Sequence, residues 1–291
     1  MKIKEKIIEI LLKLCASITI FTTIGIIAVL LFESIAFFKN VSIFEFFTDT
    51  QWTPLFSEKH FGILSLVSGT FLTAAIAIAV ALPIGLTIAI YLNMYAPKSF
   101  RKTLKPILEI LAAIPTVVYG FFALTIVTPF LQNIYPDLET FNSLSAGLVM
   151  GIMIIPFISS LSEDALYAVP KSLKEASFGM GSTRYQTAIK VMVPAASSGI
   201  IVSVILAISR AIGETMIVAI AAGQQAQFSL DPTIPTQTIT SYIVQVSMGD
   251  APQGSIEYKT IFAAGLTLFL FTFLLNTISY RIRKKYQARY E

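Results

Sequence analysis

An arginine and a glutamate lie four residues apart in a stretch of sequence that is otherwise apolar. The stretch runs Ile208-Ser209-Arg210-Ala211-Ile212-Gly213-Glu214-Thr215-Met216. Each charged side chain would cost about 2.5–3.5 kcal/mol at the centre of a membrane helix, so such residues usually face a polar interior. Arginine offers planar, bidentate donors of the kind that recognise an oxyanion. The pattern therefore indicates an anion path through a membrane.

The individual side chains suggest separate roles on this path. We assign the anion contact to Arg210, with Ser209 and Thr215 as neutral helpers and Gly213 as the point where a solute can come close. On one continuous helix a spacing of four puts Arg210 and Glu214 on the same face, near enough to pair. In this hypothesis Glu214 neutralises Arg210 in the empty site and so eases release of the anion. The alternative is a structural ion pair that ties this helix to its neighbours.

Composition assigns the chain to the integral membrane proteins. Of its 291 residues, 55% are hydrophobic and 13% are charged, whereas soluble domains carry roughly 25% charged residues. The net charge of +4 is too small, and too confined to polar segments, to suggest a nucleic-acid partner. The single cysteine, Cys15, and the single histidine, His60, have no neighbours that suggest a disulfide or a metal site. We expect no cofactor, no metal and no catalytic residues.

Six apolar runs predict an all-α fold with six transmembrane helices. The runs are 14–32, 63–95, 107–130, 143–162, 195–222 and 260–280, and a helix needs about 20 apolar residues to span a bilayer. The first run follows several lysines, as in a signal peptide, but no good cleavage site follows it, so we predict an uncleaved helix. We divide the chain into an N-terminal segment at 1–13, a single membrane domain at 14–282 and a basic tail at 283–291.

The polar segments between the runs differ in character. Residues 39–62 include Trp52 and several phenylalanines, which is typical of a membrane interface. Residues 98–105 are predicted to be a compact basic loop. Residues 223–257 either contact a partner outside the cell or cap the helices, and the sequence leaves both open. The basic tail would anchor the last helix by attraction to anionic lipid.

Charge alternates between these polar segments, which predicts the orientation of the chain. The N-terminus, the segment at 98–105, the segment at 163–190 and the tail are positive. The three intervening segments are negative. In a six-helix topology every positive segment falls on one side. We therefore expect both termini and the loop at 163–194 to lie in the cytoplasm.

The loop at 163–194 has two helix-start signals. Ser172 and Glu175 fit a capping box, and Thr183 and Gln186 repeat the pattern. Glycines at positions 179 and 181 supply positive φ angles at low cost between them. These signals predict a short helix, a glycine bend and a second helix that ends near Pro194.

The same loop carries a pattern known from a transporter family. Glu175-Ala176-Ser177, then Gly181, then Val191-x-Val193-Pro194 resembles the EAA loop of bacterial ABC importer permeases, with Ser177 and the two valines as conservative departures. The small residues Ala176 and Ser177 would let a partner approach closely. The resemblance implies that residues 175, 176, 177, 181 and 194 belong to a coupling element that sits in a cleft of an ATP-binding subunit. A solvated loop that matches the spacing by chance is the alternative.

A second resemblance narrows the family. Arg-Ala-x-Gly-Glu-Thr at 210–215, with Ile-Pro-Thr-Val-Val-Tyr-Gly at 114–120, is similar to the permease subunits of the phosphate-specific transport system. It resembles the PstC subunit more than its sister PstA. The resemblance implies alternating-access import of inorganic phosphate through the bacterial cytoplasmic membrane. The implied partners are a sister permease, two copies of an ATPase subunit that uses the ATP, and an extracytoplasmic phosphate-binding protein.

Other functions stay open at this stage. A permease for another oxyanion, such as sulfate or molybdate, would share the coupling loop but need not have the arginine and glutamate placed as here. A stand-alone channel or secondary transporter would need no coupling loop. A membrane enzyme would need clusters of histidine, cysteine or carboxylate residues, which the sequence does not have.

Overall fold

The computed structural model describes residues 2–287, and every regular element in that range is a helix. The helices are α1 (Lys2–Phe38), α2 (Ile43–Thr48), α3 (Leu64–Met94), α4 (Lys98–Ala113), α5 (Thr116–Ile134), α6 (Ser143–Tyr167), α7 (Lys171–Gly179), α8 (Arg184–Ala195), α9 (Ser197–Ile212), α10 (Met216–Ala221), α11 (Ile239–Gln245) and α12 (Ile256–Gln287). Helices α5 and α8 each contain one π-helical segment, at Ala123–Val127 and Ala188–Met192, and a third, Val246–Asp250, follows α11. The all-α prediction is confirmed.

Five of the described helices are long and apolar enough to cross a membrane. They are α1, α3, α5, α6 and α12, and the pair α8 and α9, which meet at 72°, would make a sixth if the pair forms one broken span. The prediction of six spans agrees with this number if the bent pair forms one span, and two of the predicted spans differ from the structure in their bounds. The predicted tail at 283–291 falls partly on α12, and its last four residues lie outside the described range.

The prediction for residues 98–130 is wrong at its N-terminal end. Residues 98–105 are not a loop but the first half of α4, and the third span begins at Thr116 rather than at 107. Pro115 disfavours helical geometry at the residue before it, and Ile114 is extended with φ −61° and ψ 132°. This break separates the amphipathic helix α4 from the apolar helix α5.

The prediction of one continuous helix at 195–222 is also wrong. Helix α9 ends at Ile212, three residues outside any helix follow, and α10 begins at Met216. The N-terminal end of this span is broken as well, because Ala196 separates α8 from α9. Both breaks bear directly on the candidate site.

The centre of the bundle is the contact between α3 and α6. Glycines on α6 lie where a side chain would collide with α3: a Cβ at Gly147 would lie 2.7 Å from the Ile76 Cβ, and one at Gly151 would lie 2.9 Å from the Ala77 carbonyl oxygen. Gly85 of α3 is placed in the same way against Ile158. Small residues of this kind let membrane helices pack closely, which strengthens their van der Waals contact. By contrast, α1 packs on α12 at the edge of the bundle.

The aromatic residues of segment 39–62 divide into two groups. Phe46, Trp52 and Phe61 are buried in a small core, whereas Phe44, Phe47 and Phe56 are exposed, as expected at a membrane interface. Trp52 is 3% exposed and packs edge-on against Tyr242, with ring centroids 5.0 Å apart. Phe46 is fully buried between Phe37 and Trp52. These contacts fix the segment to α11, at the end of the bundle opposite α7.

Candidate functional site

The break between α9 and α10 places Arg210 and Glu214 on different elements. Arg210 lies in the last turn of α9, whereas Glu214 follows Gly213, the residue that caps this helix with φ −88° and ψ 2°. Among the described residues, no carboxylate lies within 4.0 Å of the Arg210 guanidinium. The predicted pairing of Arg210 with Glu214 is therefore wrong for this structure, because the helix on which the spacing of four depends ends between them.

Arg210 lies at the surface of the helical bundle. Its side chain is exposed, and its guanidinium carbon lies 6.0 Å from the ring centroid of Phe157 on α6. An arginine over an aromatic face gains a modest cation–π attraction, and its N–H donors have no hydrogen-bond acceptor in the part of the chain that the structure describes. The geometry allows Arg210 to offer its donors to an anion.

Glu214 has a structural task that the sequence does not reveal. Its Oε1 accepts hydrogen bonds from the backbone N–H groups of Met216 at 3.1 Å and Ile217 at 3.4 Å. The hydroxyl of Thr240, just after α11 begins, donates to the Glu214 carbonyl oxygen at 2.6 Å. Glu214 is 9% exposed. The residue therefore caps the first turn of α10 and joins it to α11.

The predicted neutral helpers are turned toward their own backbone. The Ser209 hydroxyl donates to the Ile205 carbonyl oxygen at 3.0 Å, and the Thr215 hydroxyl lies 3.5 Å from the Gly213 carbonyl oxygen. Gly213 is exposed, and a Cβ placed on it would meet only atoms of its own helix turn. The surface beside Arg210 is thus open, as a solute path requires. The roles of Ser209 and Thr215 as donors to an anion stay predictions.

The second segment of interest, the docking segment, spans residues 171–194. Its first helix, α7, begins after Pro170 without a side-chain cap, so the capping box predicted at Ser172 is wrong. Proline has a fixed φ and no backbone N–H, so it is tolerated at the start of a helix. Here Pro170 occupies the N-cap position of α7. The second capping box is confirmed: the Thr183 hydroxyl accepts from the Gln186 N–H at 3.3 Å, and Gln186 accepts from the Thr183 N–H at 2.9 Å.

One glycine of the predicted pair makes the bend between α7 and α8. Gly181 has a φ of +81°, which other residues rarely adopt, whereas Gly179 is the last residue of α7 and does not have a positive φ. The bend folds α7 against α8, where the hydroxyls of Ser177 and Thr187 lie 2.9 Å apart. The small side of α7 at Ser177 is thus occupied by this chain, not left for a partner.

The outer surface of the docking segment is open to a partner. Glu175 and Ala176 are exposed on α7, and Met180 and Tyr185 are 88% and 69% exposed at the bend. Apolar side chains this exposed beside charged ones are typical of an interaction surface. Pro194 lies in α8, one residue before its end, and the 72° bend after α8 leads into α9. The docking segment therefore connects to Arg210 through a single helix.

A buried ionic cluster, which the sequence analysis missed, lies beside the docking segment. Glu163 of α6 is fully buried and forms ion pairs with Arg101 and with Lys105, the latter at 3.2 Å. Lys105 also binds Asp164 at 3.0 Å. Burial alone would lower the pKa of Lys105, but the hydrogen bonds to Asp164 and Glu163 outweigh it and hold the pKa above 10.5. The signal in the sequence was a basic run and a pair of carboxylates, both assigned to loops that are helices.

Comparison with known proteins relates these features to a family. The sequence profile described as "Binding-protein-dependent transport system inner membrane component" matches residues 81–291. A probable ABC transporter permease protein of Bacillus subtilis, YqgH, is 36% identical over 274 residues, which cover 92% of this chain and 88% of that protein. The phosphate transport system permease protein PstC of Mesorhizobium japonicum is 33% identical over 94% of this chain and 88% of its own length.

Solved structures share the fold at low sequence identity. A chain of a bacterial alginate ABC transporter, in complex with an alginate pentasaccharide-bound periplasmic protein, matches with a TM-score of 0.63 and 19% identity, over 94% of this chain and 95% of its own. A chain of the methionine transporter MetNI, in an inward-facing conformation, matches with a TM-score of 0.58 and 21% identity, over 77% and 97%. The fold is that of the type I ABC importer permeases.

Proposed function

This chain belongs to the family of binding-protein-dependent transport system inner membrane components, and we propose that it is the permease subunit of an ATP-driven importer of inorganic phosphate. The relatives named PstC, among them those of Mesorhizobium japonicum and Methanocaldococcus jannaschii, support phosphate as the transported ion. They also favour the PstC type of subunit over its sister PstA. The chain would move the anion and leave ATP hydrolysis to a partner subunit.

The observation that carries this proposal is an exposed arginine in the spanning region. Arg210 has no carboxylate within 4.0 Å among the described residues, and its side chain is exposed. A guanidinium facing lipid would cost several kcal/mol, about 2.5–3.5 on insertion scales. The exposed face of Arg210 must therefore border a polar path, which a second permease chain completes in the assembled transporter.

The two ends of the bundle offer a binding surface to different partners. An ATPase subunit would bind the exposed surface around Glu175, Ala176 and Met180 in the cytoplasm. The extracytoplasmic phosphate-binding protein would deliver its ligand at the opposite end, where segment 39–62 and residues 223–257 lie. This orientation keeps both termini in the cytoplasm, in agreement with the distribution of positive charge.

The fold offers a direct mechanical route from the ATPase to the anion. Movement of α7 shifts α8, because the Ser177–Thr187 hydrogen bond holds the two helices together. Helix α8 leads into α9 across the bend at Ala196, and α9 carries Arg210 about 20 Å away, at 1.5 Å of rise per residue. Tilting of α9 would move Arg210 between the two sides of the path and so alternate access to the anion.

Reconstitution of the chain with its partners tests this function. We expect phosphate, presented on its binding protein, to stimulate ATP hydrolysis, and sulfate and molybdate on theirs to have no effect. Stimulation by another oxyanion alone would assign the same mechanism to a different substrate. Flux through the isolated chain without an ATPase would instead indicate a channel or a secondary transporter and would contradict the proposal.

A further inference from the structure

A cavity at the α7 end of the bundle is lined by more cations than carboxylates. It measures about 670 Å³ and lies between α4, the end of α6 and the start of α7. This volume falls in the range of about 300–1,000 Å³ that is usual for ligand sites. The charged side chains of its wall are Arg101, Lys102, Lys105 and Lys171, with Glu109 as the one carboxylate of the lining. The cavity is separate from the surface around Arg210.

The cations of this cavity fall into two groups. Arg101 and Lys105 are held from behind by the buried carboxylate of Glu163, and the Arg101 guanidinium carbon also lies 4.9 Å from the ring centroid of Tyr167. Lys102 and Lys171 have no carboxylate within 4.0 Å in the described part of the chain. Two lysines thus face the cavity without an acidic partner, beside an arginine whose position is fixed.

We propose that this cavity binds a phosphate group, held by Lys102 of α4 and Lys171 of α7 and supported by Arg101. A phosphate accepts several charge-assisted hydrogen bonds, for which lysine supplies compact charges and arginine a planar pair of donors. Because Lys102 and Lys171 lie on different helices, the bound group bridges α4 to the first residue of the docking helix. The site would therefore stabilise one position of α7. This goes beyond the proposed function, since the ligand need not be the transported ion.

Two sources of a phosphate group match this chemistry. One is the headgroup of an anionic phospholipid, whose acyl chains would cover the side chains of Ile107 and Ile110 on α4, which are 47% and 66% exposed. An amphipathic helix with lysines beside such side chains is typical of a membrane surface. The other is free inorganic phosphate on the same side of the membrane. The two sources share the lysines and differ in whether lipid is required.

The rate of lysine acetylation, measured by mass spectrometry, reports whether this cavity is occupied and does not depend on transport. The assembled transporter is placed in nanodiscs of phosphatidylcholine alone, of phosphatidylcholine with phosphatidylglycerol, or of phosphatidylcholine with added inorganic phosphate. We expect acetylation of Lys102 and Lys171 to slow several-fold in one of the last two conditions. Lys190, exposed on α8 outside the cavity, is the internal control and should react equally in all three.

Paired variants distinguish a shared ligand from a general effect of surface charge. Lys102→Ala should abolish the protection of Lys171, and Lys171→Ala that of Lys102, whereas Lys190→Ala should leave both protected. Protection in the phosphatidylglycerol discs assigns the site to lipid, and protection by phosphate assigns it to the free anion. Unprotected lysines in both conditions, or protection that survives loss of the other lysine, would overturn the proposal.

Discussion

Replacement of Glu214 separates the two tasks that a carboxylate at this position can have. In the structure it caps α10 by accepting from the N–H groups of Met216 and Ile217. In the hypothesis drawn from the sequence it neutralises Arg210. Glu214→Gln keeps an oxygen that can accept from the same N–H groups but removes the charge. Glu214→Leu removes both the acceptor and the charge at similar side-chain size.

The contacts set the expected size of each effect. Loss of an N-terminal cap costs about 0.5–2 kcal/mol, and a buried N–H left without a partner costs about 1–3 kcal/mol. The bond to Ile217 is long at 3.4 Å and contributes little, so the main loss is the partner of the Met216 N–H. We therefore expect Glu214→Leu to lower the free energy of unfolding by about 2 kcal/mol. Glu214→Gln should lose only the favourable charge at the helix start, about 0.5 kcal/mol.

Denaturant titration of the purified chain in mixed micelles measures this difference, and phosphate uptake by the reconstituted transporter measures its consequence. We expect stability to fall in the order wild type, Gln variant, Leu variant, and uptake at equal protein to follow the same order. Glu139→Leu is the matched control, because Glu139 is exposed and its carboxylate makes no contact within hydrogen-bonding range in the described chain. It should change neither quantity.

Two results would refute the reasoning in different ways. A Leu variant as stable as the wild type would mean that the carboxylate does not cap α10. Equal loss of uptake in the Gln and Leu variants, at unchanged stability, would mean that transport needs the negative charge itself. The pairing with Arg210 would then have to form in a conformation other than the one described.

Four other predictions concern the anion contact, the glycine bend, the buried ionic cluster and segment 39–62. Arg210→Gln should abolish phosphate-stimulated ATP hydrolysis while the transporter assembles normally. Arg210→Lys should retain part of this activity, because the charge remains and the planar pair of donors is lost. Full activity of both variants would exclude Arg210 as the anion contact. Gly181→Val should lower the free energy of unfolding by about 1–2 kcal/mol, because residue 181 has a positive φ, and it should weaken ATPase stimulation. Gly179→Ala, in α7 with open space around it, should change neither quantity. Equal effects of the two variants would contradict the role of Gly181 in the bend. Glu163→Gln should destabilise the chain by about 1.5–3 kcal/mol, the range for losing hydrogen bonds to charged groups, because the remaining cations Arg101 and Lys105 are partly exposed. Asp164→Asn, at a 59% exposed side chain, should cost about 0–1 kcal/mol in thermal unfolding. Burial alone would raise the pKa of Asp49, but the Gln51 N–H and the His60 ring hold this pKa below 3.8. The ionised carboxylate should therefore stabilise the fold above pH 3.8, and this stabilisation should disappear as the pH falls through the lower pKa of the folded state. Asp49→Asn should flatten that part of an acid-unfolding curve.

The sequence predicted the elements that depend on signals from residues close together in the chain. Runs of about 20 apolar residues located the spans, and capping chemistry located the start of α8 at Thr183, because both signals are local in the chain. The family was also accessible from short motifs, since the matches at 175–194 and 210–215 keep their spacing. These features need no knowledge of which helices touch.

The features that escaped prediction depend on contacts between distant residues. The continuous apolar pattern at 195–222 does not reveal that Thr240 donates to the Glu214 carbonyl oxygen and so stabilises a break in the span. Likewise, Glu163 looks solvated beside Asp164 until Arg101 of α4 is placed against it. In both cases a polar side chain is buried because a partner far away in sequence satisfies it, and hydropathy cannot report that partner.

The break beside Arg210 has a consequence for coupling. Beyond Gly213 the chain is held by Glu214, which caps α10, and by Thr240, which ties the break to α11. Before Gly213, α9 is one helix whose other end joins the docking segment at a 72° bend. A displacement of α7 can therefore reach Arg210 through α9 and be absorbed at the break, while α10 and α11 keep their positions. In a continuous helix the same displacement would also have to shift α10, and with it the contact of α10 with α5.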